Sequence, residues 1–198
     1  MQKPNVILMV GEIGVGKSYI GKKIAALKNY TYIDKDTVTT PLTEYILAHN
    51  SPTQNSHDRE SDFYIQTVRP LEYQALLNIA YDNVKLGHSV VLTAGFEQEI
   101  LQQDYLHTHP QMKALREVAT IIVVRVTVDS TTLLNRLIKR NEQRDRWKLN
   151  NWETYMAQVS GLTVTWHPDD YTQLGFDNSD MLPVLYDLKL QGLVQSIR

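Results

Sequence analysis

Short apolar runs alternate with longer amphipathic stretches along most of the chain. Val6-Ile7-Leu8-Met9-Val10 is apolar without interruption. Such a run predicts a strand covered on both faces, as in parallel sheets. Ser89-Val90-Val91-Leu92-Thr93 and Thr120 to Val126 read the same way. Thr31-Tyr32-Ile33, ending at Asp34, and Gln173-Leu174-Gly175-Phe176 are shorter candidates. Helical patterns lie between them. Ile20, Ile24 and Leu27 recur at i, i+4 and i+7, and Thr37 to His49 predicts a second helix. Pro70 predicts the start of a third, because its missing N–H costs nothing in a first turn. Leu76, Leu77, Ala80 and Val84 give that helix its apolar face, and Gly87 stops it. Asp129-Ser130-Thr131 offers cap chemistry for a helix whose buried side carries Leu133, Leu134, Leu137 and Ile138. Met181 to Ile197 predicts a final helix, and the polar stretch Asn50 to Asp58, with Pro52, an exposed loop. Strands alternating with helices imply an α/β protein, its parallel sheet covered on both faces.

The first strand runs directly into Gly11-Glu12-Ile13-Gly14-Val15-Gly16-Lys17-Ser18, followed by Tyr19. This is G-x-x-x-x-G-K-[ST], the phosphate-binding loop, in the strand–loop–helix order it requires. Gly11 and Gly16 permit backbone angles closed to other residues, and Gly14 leaves room for close approach. Backbone N–H groups of the loop, Val15 and Tyr19 included, would converge on phosphate oxygens at a helix N-terminus. Lys17 would neutralise the β- and γ-phosphates, and the Ser18 hydroxyl would ligate Mg²⁺. A nucleoside triphosphate, ATP, is the expected ligand. Guanine-reading N-K-x-D and T-K-x-D, and the D-x-x-G switch, are absent from the sequence, which argues against a GTPase. No predicted strand ends in the Asp-Glu pair of motor-type ATPases.

Composition narrows the partners. The 198 residues are 42% hydrophobic and 21% charged, with a net charge of −2. One domain, 1–198, is expected. No global basic field exists to hold nucleic acid, so a nucleic-acid acceptor is possible but not favoured. Cysteine is absent, which excludes disulfides and a thiolate nucleophile and fits a reducing cytoplasm. No apolar run spans a bilayer, and the start, Met1-Gln2-Lys3-Pro4, does not read as a signal peptide.

Arg136, Arg140 and Arg144 stand at i, i+4 and i+8, on one face of the helix that begins near Thr131. None has an acid at i±3 or i±4, so the stripe suggests an anion opposite it. With the Lys17 loop and the order of elements, these residues resemble the small P-loop kinase superfamily. The likeness is to kinase-like domains of the polynucleotide kinase, zeta toxin and gluconate kinase type. The resemblance implies a three-layer α/β/α P-loop fold, a five-stranded parallel sheet, and a helical arginine lid at about 136–152. It implies ATP·Mg²⁺ as phosphoryl donor to a hydroxyl, with Arg136 and Arg140 first, then Arg144 and Arg146, on adenine and phosphates, and Arg144 also near the acceptor. It also implies an Asp after the second strand as base and acceptor anchor. Asp36 matches best and Asp34 second; the alternative for Asp36 is a helix N-cap. Lys35 between them would point away in an extended segment. Arg69 is a further acceptor candidate, unless it only pairs with Glu72. Two departures stand out. Relatives often carry an Asp ending the third strand, where this chain has Thr93 or Ala94, with Glu97 a possible substitute from the loop. Relatives also often carry an Arg three residues after the acceptor Asp, where this chain has Thr39. An ATP-binding regulator without transfer activity therefore stays open. Trp147 and Trp152 read as packing anchors, His107-Thr108-His109 as a loop, and Asp169-Asp170 as a solvated turn.

Overall fold

The computed structural model describes residues 3–142, 145–159, 161–179 and 182–198. Five parallel strands, β1 (Asn5–Val10), β2 (Thr31–Asp34), β3 (Val90–Thr93), β4 (Thr120–Thr127) and β5 (Thr172–Asp177), form one sheet in the order β2-β3-β1-β4-β5. All six residues of β1 are buried, as expected of a central strand. Its pleat sends alternate residues to opposite layers. Val6, Leu8 and Val10 join Leu76, Leu77 and Met112 on one face, and Ile7 and Met9 join Ile20, Ile24, Leu137 and Phe176 on the other. The first layer holds α3 (Arg69–Lys85) and α5 (Pro110–Val118). The second holds α1 (Lys17–Lys28), α6 (Ser130–Arg140) and α9 (Pro183–Ser196).

The remaining elements are α2 (Lys35–Asn50), α4 (Tyr105–Thr108), α7 (Arg146–Asn150) and α8 (Trp152–Val159). The connection after α2 ends in a single π turn, Tyr64–Val68, that feeds α3, with Pro70 in the first turn of α3 as predicted. Ligand crevices of such sheets open at the carboxyl ends of the strands, where the loops after β1, β2 and β3 converge. No helix among the described residues is long and apolar enough to cross a membrane.

Some expectations fail locally. Ile138 is 56% exposed and Leu27 58% exposed, so neither lies on its helix's buried face. Trp147 is 53% exposed and is no anchor, whereas Trp152 packs against the second core. His107 lies in a helical turn instead of a loop. Its Nε2 is 2.5 Å from Asp170 Oδ2, and Arg116 bonds the same carboxylate, so Asp170 is engaged and not simply solvated. Met181 and Arg144 lie outside the described residues.

Candidate active site

The loop between β1 and α1 is pressed against the ends of β4 and β5. Gly11 has φ 142°, and a Cβ there would stand 2.2 Å from the Val126 carbonyl oxygen. Gly16 has φ 96°, and its Cβ would meet Asn178 Nδ2 at 2.4 Å. Only glycine combines such angles with such closeness. Asn178 Nδ2 donates to Val15 O at 2.8 Å. Arg136 donates from Nη2 to Asn178 O at 2.8 Å and from Nη1 to Val15 O at 3.4 Å. The loop is thus braced from α6 and from the end of β5 before any phosphate arrives.

Lys17 curls over its own loop, with Nζ donating to Gly11 O at 2.6 Å and Glu12 O at 2.9 Å. Burial pulls its pKa below the usual lysine value, against the opposing pull of Glu97, Glu12 and Asp36. An anion at the loop would satisfy this ammonium better than neutral carbonyls do. Ser18 Oγ donates to Asp34 Oδ2 at 2.9 Å, and Tyr32 OH donates to the same oxygen at 2.8 Å. Burial pushes the Tyr32 hydroxyl up to about 12, so it remains a donor near neutral pH. Thr93 is the register partner of Asp34, and its buried Oγ1 has no hydrogen-bond partner among the described residues. A serine hydroxyl, a carboxylate and a spare threonine hydroxyl form a hard-oxygen set that fits Mg²⁺.

Asp34, and not Asp36, caps α2: its Oδ1 accepts from Thr37 N at 3.2 Å. Asp36 lies in the first turn and is addressed at Oδ1 by Lys35 Nζ at 3.1 Å and by Arg59 Nη1 at 3.5 Å. The chain turns helical at Lys35, so that side chain does not point away. Arg69 pairs with Glu99, not Glu72: the two Nη atoms lie 2.6 and 2.8 Å from its carboxylate oxygens. The Arg69 guanidinium also lies 4.3 Å from the Tyr73 ring centroid, and the Tyr73 hydroxyl donates to Gly95 O.

The arginine stripe is not uncompensated. Arg140 donates from Nε to Asp145 Oδ2 at 2.7 Å and from Nη2 to Oδ1 at 2.6 Å, and Asp145 is fully buried. The sequence count missed this because α6 is capped at Asn141, in the left-handed conformation, and the pairing acid stands at i+5.

Two adjoining cavities share Gly14, Gly16, Tyr19 and Arg136. One, of about 520 Å³, runs between Tyr19, Arg136, Asn178 and Tyr186. The other, of about 500 Å³, brings Lys17, Ser18, Asp34, Asp36, Arg69 and Arg140 to a common space, with Arg59 and Glu97 on its wall. Of the sequence candidates, Gly11 and Val15 support the loop from behind without lining either cavity, Arg146 lines neither, and Arg144 lies outside the described residues. Sequence reasoning missed Arg59, Asn178, Asp145 and the Lys35–Glu72 pair. Arg59 signals itself only as an arginine in an otherwise polar loop, Asp145 falls just outside the i±3 and i±4 count, and Asn178 and the Lys35–Glu72 pair depend on contacts distant in sequence.

This fold and loop define a P-loop nucleotide-binding α/β protein. The profile of a family described as an AAA domain matches residues 6–162, and the chain belongs to that family. Its fold is that of the small P-loop kinase-like superfamily. It is similar to a structure described as a putative kinase from Chloroflexus aurantiacus at 18% identity and TM-score 0.67, covering 100% of both chains. A sugar kinase from Janibacter aligns at 15% identity and TM-score 0.58 over 98% of this chain and 95% of that one. Shikimate kinase from Bacteroides thetaiotaomicron aligns at 14% identity and TM-score 0.56, over 98% of each chain. No match is found among curated proteins.

Proposed function

We propose that this chain is an ATP-dependent kinase that moves the γ-phosphoryl group to a hydroxyl of a small-molecule acceptor. The observation that carries the reading is one cavity holding the loop lysine, a hydroxyl–carboxylate pair and a separate carboxylate, Asp36. The triphosphate would lie over residues 11–18, and the nucleoside would extend between Tyr19 and Arg136. Ser18 and Asp34 would hold Mg²⁺, which neutralises charge on the β- and γ-phosphates when bound. Asp34 reaches the serine from the strand beside β3, and so supplies the carboxylate that Thr93 lacks.

The acceptor hydroxyl would lie against Asp36. Its oxygen attacks the γ-phosphorus, the bond to the β-bridging oxygen breaks, ADP leaves, and Asp36 takes the hydroxyl proton. Lys17 and Arg140 would offset the charge that spreads over the transferring oxygens, so most of the catalysis would be positioning and electrostatics. The region 136–152 would close over the nucleotide and exclude water.

The test uses γ-labelled ATP, Mg²⁺ and a panel of hydroxylated small molecules alongside a 5′-hydroxyl oligonucleotide. Label is expected in a small molecule and is lost in Lys17→Ala. Bound ATP with no label in any acceptor overturns the kinase reading in favour of a regulator, and label in the oligonucleotide alone overturns the acceptor class.

A further inference from the structure

Asp145 stands just before α7 with no exposed surface, and both its carboxylate oxygens accept from a single side chain, Arg140. The grip is side-on. It takes Nε and Nη2 of the guanidinium and leaves Nη1 without a hydrogen-bond partner among the described residues. Glu142 comes no closer to Nε than 3.7 Å. Arg140 keeps 28% of its side chain exposed and lies on the wall of the cavity that holds Lys17. Burying a carboxylate is costly, and apolar residues of equal volume often serve stability as well. A buried pair of this kind calls for a second reason.

The reason lies in the cavity. Lys17 and Arg140 are two cations facing one space. After burial, which lowers the Lys17 pKa most, Arg140 adds to the fall. A carboxylate behind Arg140 offsets that repulsion while no phosphate is present. It also fixes the plane of the guanidinium at the end of α6. One turn earlier, Arg136 has its fork on Val15 O and Asn178 O and braces the loop. Arg140, held by one edge only, keeps the other for an anion. We infer that Asp145 is a positioning residue, which holds Arg140 so that Nη1 meets the transferring phosphoryl oxygens while the pair stays closed. Asp145 lines neither cavity, so it is not itself a catalytic group. The inference rests on the kinase reading for the phosphoryl group that Arg140 meets. It also separates two devices: a latch gives up Asp145 when phosphate arrives, whereas a positioner keeps it.

The first test uses the full chain with ¹⁵N-labelled arginine, the Arg140 Nε–H resonance being assigned by its loss in Arg140→Lys. A resonance protected from exchange with water is expected in the free protein. It is expected to persist with MgADP and aluminium fluoride, a mimic of the transferring phosphoryl group. No protection in the free protein, or its loss with the mimic, overturns the inference. The second test compares MgADP affinity with and without aluminium fluoride by calorimetry. The fluoride is expected to tighten wild-type binding by about a hundredfold, the lower end for transition-state analogues. Asp145→Asn is expected to cut that gain by about tenfold, the worth of a charged hydrogen bond. Its affinity for MgADP alone is expected within about twofold of wild type, as for a group that acts only on the transferring phosphoryl. Arg140→Met/Asp145→Asn, which removes both charges, is expected to show the same gain as Arg140→Met. No gain in wild type, or an undiminished gain in Asp145→Asn, overturns the inference. A further loss of about tenfold in the double variant relative to Arg140→Met also overturns it, because the two effects would then be independent. Should Asp145→Asn fail to fold, the exchange measurement on the unaltered chain decides. Wild-type protein that binds no MgADP sinks the kinase reading and this inference with it, whereas MgADP binding with a lost Arg140 signal sinks the inference alone.

Discussion

Asp34 and Asp36 are two positions apart and sit in different surroundings, because the first closes a strand and the second opens a helix. Asp34 faces Ser18 and Tyr32, whereas Asp36 faces Lys35 and Arg59. Substitution separates them. Asparagine caps a helix as well as aspartate does, so Asp34→Asn keeps the cap and removes only the charge beside Ser18. It should raise the Mg²⁺ concentration for half-maximal turnover by roughly tenfold, the lower range for perturbed metal surroundings. Asp36→Asn should lower transfer by roughly 10²–10⁴-fold, the range for a lost general base, with ATP affinity held. Metal titrations and steady-state kinetics distinguish the two. At this scale the cradle was legible because its members are contiguous in the chain. The cap that stands as the alternative role for Asp36 falls to Asp34, because the helix begins at Lys35 and not at Thr37. The partner of Arg69 lies 30 residues away, beyond the reach of i+3 counting.

At the scale of elements, Glu72 gathers α2, the π turn and α3 around one carboxylate. Burial works against its charge, but Lys35, with Thr43 and Tyr64, holds its carboxyl below the usual 4.5. A group whose value is depressed on folding contributes stability above its unfolded value, and loses it as pH falls through the folded one. The stability gap between wild type and Glu72→Gln should therefore be full at neutral pH and narrow on acidification below about 4.5. Thermal melts at stepped pH measure it; a gap independent of pH would contradict the assignment. The elements themselves were largely readable from period and punctuation: all five strands appear where continuous or short apolar runs predicted them. Faces were less readable. Leu27 lies past the last buried residue of α1, and Ile138 turns to solvent although it follows Leu137 on the same helix. Periodicity reports what could be buried, and the sheet's extent decides what is.

Across the whole molecule, a nucleotide seated over residues 11–18 would contact the loop after β1, α6 and the segment after β5. These come from the start, middle and end of the chain, so the ligand should stabilise the entire fold. At a hundredfold excess over Kd, linkage gives about 2.7 kcal/mol. For a chain of this size that corresponds to a melting-point rise of roughly 5–10 °C. Scanning fluorimetry with a non-hydrolysable ATP analogue and Mg²⁺ should show the rise in wild type and not in Lys17→Ala. Strand order, by contrast, could not be read from the sequence, because nothing local records that β1 lies between β3 and β4.

The family match stops at residue 162, yet Val15 is held by Asn178, 163 positions further on. A chain shortened to the matched span would retain every letter of the signature and lose the strut behind it. The signature would then outlive the shape it stands for, and the last strand deserves to be counted as part of the first loop.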